Sequence, residues 1–131
     1  MLFRSVSQSR YPVCYMWATA PKLLEALDVL SAWGFTYKSQ MAWDKEIMGM
    51  GYWFRGQHEL LLVGTKGKFS PPAQSLRVSS VLRARRGKHS QKPFIVRKWI
   101  NKWYPEASKL ELFARDAEVG WDYWGLEAPQ I

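Results

Sequence analysis

Lys92 stands directly before Pro93, where a helix is expected to begin. Its ammonium and the free backbone N–H groups of a first helical turn would act together on an anion. A carboxylate or a phosphate suits that place; one more lysine in a basic run accounts for it as well. Glu111 ends an apolar run with Arg115 just beyond it. A carboxylate at the C-terminal end of a strand can accept hydrogen bonds from ribose or amino groups, and a guanidinium is a fixed donor fork. A surface ion pair explains the two residues equally well.

A second group precedes these. Trp43-Asp44-Lys45 leads into Gly49-Met50-Gly51-Tyr52-Trp53-Phe54-Arg55, followed by His58-Glu59. Glycines permit a tight path, and aromatic rings beside Arg55 could stack on a base while the guanidinium meets a phosphate. The alternative is a loop folded over the core with Trp53 and Phe54 buried. His58 and His89 have no second histidine or cysteine at ligand spacing, so no metal site is expected. Cys14 is the single cysteine and lies in an apolar run, which suits a buried thiol in a reducing compartment.

From Leu60 through Pro105 there is no Asp or Glu, but there are eleven Lys and Arg residues, among them Arg83, Arg85, Arg86 and Lys88. Such a strip attracts polyanions, so these four are expected at a nucleic-acid backbone, with a solvated basic surface as the alternative. Nothing in the sequence is apolar over a membrane-spanning length, and residues 1–10 lack the apolar segment of a secretory signal. A cytoplasmic location is expected.

The elements that must position these residues read as strand, helix, strand. Tyr11 to Ala18 is an apolar run of strand character; Thr19 and Pro21 suit a helix start, and Leu23, Leu24, Leu27 and Leu30 recur at helical spacing up to Gly34. Strands are expected at Phe35 to Trp43 and Glu59 to Thr65, with a long loop over Lys45 to His58. A short strand is expected at Ser79 to Leu82. A helix from Pro93 to about Tyr104 would turn Phe94, Ile95, Lys98 and Trp99 partly inward, and Leu110 to Phe113 forms the last strand. The fold class is therefore α/β, in one layered domain of 131 residues.

The order of the motifs resembles the adenine methyltransferase family typified by the mRNA adenosine methylases, with its bacterial and phage relatives. The pieces are Tyr15-Met16-Trp17, Ala32-Trp33-Gly34-Phe35, Trp43-Asp44-Lys45, the Gly49 to Arg55 loop, and His58-Glu59-Leu60-Leu61-Leu62-Val63-Gly64. His89-Ser90-Gln91-Lys92-Pro93, Leu110-Glu111-Leu112-Phe113-Ala114-Arg115 and Gly120-Trp121-Asp122-Tyr123-Trp124-Gly125-Leu126-Glu127 complete the series. The resemblance implies a Rossmann-like S-adenosylmethionine-dependent methyltransferase fold with permuted motif order. It implies cofactor contacts from Lys92, Glu111, Phe113, Arg115 and Glu127, with Lys92 on the cofactor carboxylate. Leu126 replaces the asparagine usual beside that glutamate. Trp43, Lys45, Arg55, His58 and Glu59 would border the target nucleotide, in DNA or RNA.

The sequence departs from the family at its front. No Asp-Pro-Pro-Trp or Asn-Pro-Pro-Tyr segment occurs. The resemblance assigns that tetrapeptide to the adenine amine, so no catalytic residue is assigned in this chain. Residues 1–10 are taken as an extension and 11–131 as a partial, N-terminally incomplete methyltransferase domain. The absent strand would leave a core neighbour unpaired. One expectation is a methyltransferase whose sequence is incomplete or whose motif a second polypeptide supplies; a non-catalytic module binding nucleic acid or a partner is another, and an inactive remnant is the third.

Overall fold

The computed structural model describes residues 2–5, 12–87, 91–112 and 121–124. Seven strands form one sheet: β1 (Leu2–Ser5), β2 (Val13–Thr19), β3 (Thr36–Asp44), β4 (His58–Thr65), β5 (Val81–Arg83), β6 (Ser108–Leu112) and β7 (Trp121–Trp124). Their order across the sheet is β5-β3-β4-β2-β1-β6-β7. Helices α1 (Leu23–Ala32) and α2 (Ile95–Trp103) complete the domain.

β2 alternates between two covered faces. Cys14, Met16 and Ala18 pack with Leu62, Leu30 and Phe35 under α1. Val13 and Tyr15 pack with Met41 and Leu61 under Val96, Ile100 and Tyr104 on the α2 side. Covering both faces explains why the run reads as continuously apolar rather than alternating. Gly64 lies under α1, where a Cβ would come within 3.0 Å of Phe35 Cβ and 3.1 Å of Leu30. Gly34 takes φ +90° just past α1, the left-handed conformation that ends many helices. Burial pushes the Cys14 thiol up to about 12, so it is a packing group rather than a nucleophile.

Three expectations need correction. In α2 the buried residues are Val96 and Ile100, while Phe94 and Ile95 are 47% and 38% exposed and Lys98 is also exposed. Val96, Ile100 and Trp103, at helical spacing, set the inner face, and Trp99 lies partly buried beside them. The last strand is followed by another, β7, parallel to β6. Within the stretch taken as an extension, Leu2–Ser5 forms a strand pairing antiparallel to both β2 and β6.

Strand direction decides where ligands could gather. β4 is antiparallel to β2 and β3, β5 is parallel to β3, and β1 is antiparallel to β2 and β6. With β7 parallel to β6, the strands β2, β3, β5, β6 and β7 all run one way. Their C-terminal ends lie along one edge of the sheet, the edge at which open α/β sheets bind ligands. Among the described residues, no helix is long and apolar enough to cross a membrane.

Candidate functional site

At that edge Glu59 is the focus. The β4 register sets it opposite Trp43 on one side and Thr19 on the other. Its carboxylate accepts from Lys92 Nζ at 2.6 Å and Lys45 Nζ at 3.2 Å. The Glu59 side chain is only 7% exposed, while Lys92 remains 39% exposed. The Lys92 ammonium also lies 5.6 Å from the Trp17 ring and 5.8 Å from the Trp43 ring, which meet edge to face. Two ammoniums on one carboxylate leave the cluster one uncompensated positive charge, and its more open member is Lys92. The net positive charge of the arrangement suits an anion.

Burial alone would raise the Glu59 carboxyl. The hydrogen bonds and charges of Lys92, then of Lys45, outweigh it and hold the pKa below the ordinary glutamate range. A carboxylate with a depressed folded-state pKa stabilises the fold fully above its unfolded value of about 4.3 and loses that contribution as pH falls through the folded value. Glu59→Gln is therefore expected to destabilise at pH 7, with the gap from the native chain narrowing at pH 3. Urea unfolding at the two pH values measures it. A gap that is unchanged at pH 3 would contradict the assignment.

Trp43 is fully buried and donates its indole N–H to the Ala84 carbonyl at 2.7 Å. It forms the floor of the cluster and presents no ring face to solvent, so in this arrangement it is no stacking platform for a base. The Lys45 to Gln57 loop is the opposite: Tyr52, Trp53 and Phe54 are 93%, 85% and 93% exposed. Of the two readings of that loop, the open one is observed. Arg55 braces it by donating to the Gly49 carbonyl at 3.1 Å. Gly51 is required there, since a Cβ would meet the Phe54 carbonyl oxygen at 2.0 Å.

His58 is exposed beside Asp44, its partner in the β3–β4 register. Asp44 accepts from the Gln57 side chain at 3.1 Å and from the Glu46 backbone N–H at 2.8 Å, which holds its carboxyl below the usual range. Glu46 takes φ 65° in the resulting turn. Arg83 and Arg85 lie 3.7 Å from Asp44 and Glu46 and are 77% and 75% exposed. The exposed Arg86 follows. The basic strip and the aromatic loop thus share the edge that holds Glu59.

Glu111 does not join this cluster. It pairs with Arg97 of α2 at 2.6 Å, with both side chains largely covered. The expected surface pair of Glu111 with Arg115 involves a residue outside the described ones, and the partner observed is one that the sequence did not single out. Arg97 follows Val96, which marks it as flanking the inner face of α2. Trp17 was likewise absent from the expected site, although it occupies an apolar strand position. Lys88, Phe113, Arg115 and Glu127 lie outside the described residues, as does His89. Among the described residues no group of acidic, histidine or cysteine side chains could hold a metal ion.

Residues 4–127 match the sequence profile of the MT-A70 family. Over 118 residues the chain is 41% identical to the type II methyltransferase M.MunI of a Mycoplasma species, covering 89% of this chain and 51% of that protein. It is 28% identical over 117 residues to an N(6)-adenosine-methyltransferase MT-A70-like protein of Arabidopsis thaliana, covering 82% of this chain and 17% of that protein. The chain spans about half the length of the first relative and a smaller share of the second.

Proposed function

The chain belongs to the MT-A70 family, and from that premise we propose that it forms the cofactor-binding and nucleic-acid-facing part of an S-adenosylmethionine-dependent adenine methyltransferase. In this reading the fold is the Rossmann-like one with permuted motif order, and the 6-amino group of adenine in DNA or RNA receives the methyl. The Asp-Pro-Pro-Trp segment is supplied from outside these 131 residues, by a longer form of the chain or by a second polypeptide. The observation that carries the reading is the Lys92–Glu59–Lys45 cluster at the C-terminal edge of the parallel strands.

The residues present suit the cofactor at one end. Lys92 offers an open ammonium to its carboxylate, steadied from behind by Glu59 and faced by two indole rings. Glu111, bound to Arg97 near the C-terminal end of β6, would border the cofactor. Phe113, Arg115 and Glu127 would complete the pocket. When bound, S-adenosylmethionine supplies the methyl group; the chain's part is to hold it and to keep the nucleotide in line, where an error of about 1 Å costs roughly 100-fold in rate. Tyr52, Trp53 and Phe54 would stack on exposed bases and Arg83, Arg85 and Arg86 would track phosphates.

Isothermal calorimetry with S-adenosylmethionine on the folded chain tests this reading. Saturable binding is expected. A folded chain that gives no heat while still binding nucleic acid would replace it with the second reading, a non-catalytic nucleic-acid-binding module, which the open aromatic loop and exposed arginines favour on their own. Both readings share one prediction. Replacing Arg83, Arg85 and Arg86 together by alanine is expected to weaken binding and to flatten the plot of log affinity against log salt by about 2 to 3 units. A mobility-shift titration with an unchanged slope would take the strip out of the interface.

A further inference from the structure

A cavity of about 550 Å³ lies on the α2 face of the sheet. Close-packed interiors leave few gaps larger than a water molecule, whereas small-molecule sites span roughly 300–1,000 Å³. Val13 and Tyr15 of β2, Met41 of β3, and Leu61 and Val63 of β4 form its floor. Trp99 and Trp103 of α2 form one wall; Phe69, Pro71 and Pro72, from the chain between β4 and β5, form another. That connecting chain is a strap held off the sheet. Trp103 donates its indole N–H to the Leu76 carbonyl at 2.9 Å, and the Phe69 ring lies 5.8 Å from that of Tyr104. Arg77 braces the strap by donating from Nε to the Pro72 carbonyl at 3.0 Å. β5 then joins β3 only at Ala42, Trp43 and Asp44, so the cavity stays open between residues 38–40 and residues 77–80.

This cavity is separate from the Lys45–Glu59–Lys92 cluster and shares no residue with it. It takes Leu61 to Thr65 of β4 and Lys38 to Met41 of β3, whereas Glu59 lies opposite Trp43 at the other ends of those strands.

The lining selects the ligand. Trp99 and Trp103 stack with centroids 6.1 Å apart and planes 23° from parallel. A flat ring system packs on such a wall by offset stacking. No Asp or Glu lines the cavity; its two charged residues, Lys38 and Arg77, are exposed cations. Among the described residues neither has a carboxylate partner. The bond to Pro72 uses only Nε of Arg77, and the guanidinium carries further donors on its terminal nitrogens. We propose that the cavity binds a polycyclic aromatic carboxylate, with its rings against Trp99 and Trp103 and its carboxylate on Lys38 and Arg77 at the mouth. The site is additional to methyl transfer and needs neither S-adenosylmethionine nor nucleic acid.

Fluorescence titration of 1-pyrenebutyrate with the whole chain, without cofactor or nucleic acid, tests the proposal. Saturable binding of one probe per chain is expected, with a melting midpoint that rises as probe is added. 1-Pyrenemethylamine, which has the same rings and the opposite charge, should bind at least about tenfold more weakly. Lys38→Gln combined with Arg77→Gln keeps polar side chains but removes both charges, and should weaken pyrenebutyrate binding by about tenfold. Ser39 lines the cavity, is exposed, and pairs with Val63 of the floor. Ser39→Trp would fill the space with a ring of the chain's own, and should weaken binding by at least about tenfold. Absence of saturable binding overturns the site. Equal affinity for the two probes, or unchanged affinity in the double variant, overturns the anionic ligand. Native affinity in Ser39→Trp overturns the location. So does displacement of the probe by S-adenosylmethionine, which would put the probe at the Lys92 edge. Should Ser39→Trp not fold, the double variant, which alters only exposed side chains, decides with the displacement result.

Discussion

Replacing Trp43 by alanine is expected to cost about 4 kcal/mol of stability, within the range of about 3–5 kcal/mol for a large aromatic removed from a core. For a domain of this size that lowers the thermal midpoint by roughly 12–20 °C. The indole is fully buried, meets Trp17 edge to face and is tied to the Ala84 carbonyl. Its removal opens a void under Lys45 and Lys92 and leaves a carbonyl without its donor. Trp43→Phe keeps most of the volume and loses mainly the hydrogen bond, so its cost should be about 1–2 kcal/mol. The phenylalanine variant also separates packing from recognition. If Trp43 is floor, Trp43→Phe leaves nucleic-acid affinity within about twofold. Trp53→Ala, on the exposed loop, should leave the melting curve in place yet weaken binding by roughly tenfold, as the loss of one base stack does. A large loss of affinity in Trp43→Phe at unchanged stability would return the ring to the nucleotide site.

The contrast between those two tryptophans shows what sequence can carry. Trp53 lies among aromatics between two glycines and Trp43 between Ala42 and Asp44, yet local spacing alone does not separate a strand residue pointing into the core from a loop residue pointing out. β3 pairs with both β4 and β5, and that pairing fixes the buried position of Trp43. Where one element's own periodicity sufficed, the reading held. β2, α1, β3 and β4 fall within a few residues of their expected bounds because apolar runs, leucines at helical spacing and Gly34 are local signals. Lys92 and Glu59 were each legible as chemistry-bearing residues, but their pairing across 33 positions depends on tertiary placement. Arg97–Glu111 was missed for the same reason. β1 and β7 carry little periodicity of their own; each has four residues and is strand only because neighbours supply hydrogen-bond partners.

Lys92→Ala is expected to weaken S-adenosylmethionine binding by about 30- to 100-fold, the worth of a charge-assisted hydrogen bond to a carboxylate. The simple loss does not by itself locate the contact, because the same substitution releases Glu59 from its 2.6 Å bond. Lys45→Ala supplies the control. Each lysine donates to the same carboxylate, so removing either one takes the cluster from one uncompensated positive charge to none. The longer-range attraction for an anion then falls alike in both variants, and Glu59 keeps one partner in each. What differs is position: Lys92 is 39% exposed at the open edge, while Lys45 is 19% exposed and further covered. The ratio of the two affinities therefore isolates direct contact, and Lys92→Ala should be the weaker binder by about tenfold. Lys92→Arg should recover part of the loss, since charge is kept while a planar fork replaces a compact ammonium. Calorimetry on the three variants reads this directly. Equal affinities in Lys45→Ala and Lys92→Ala would mean that Lys92 acts on the cofactor only through Glu59, and its place on the carboxylate would be lost.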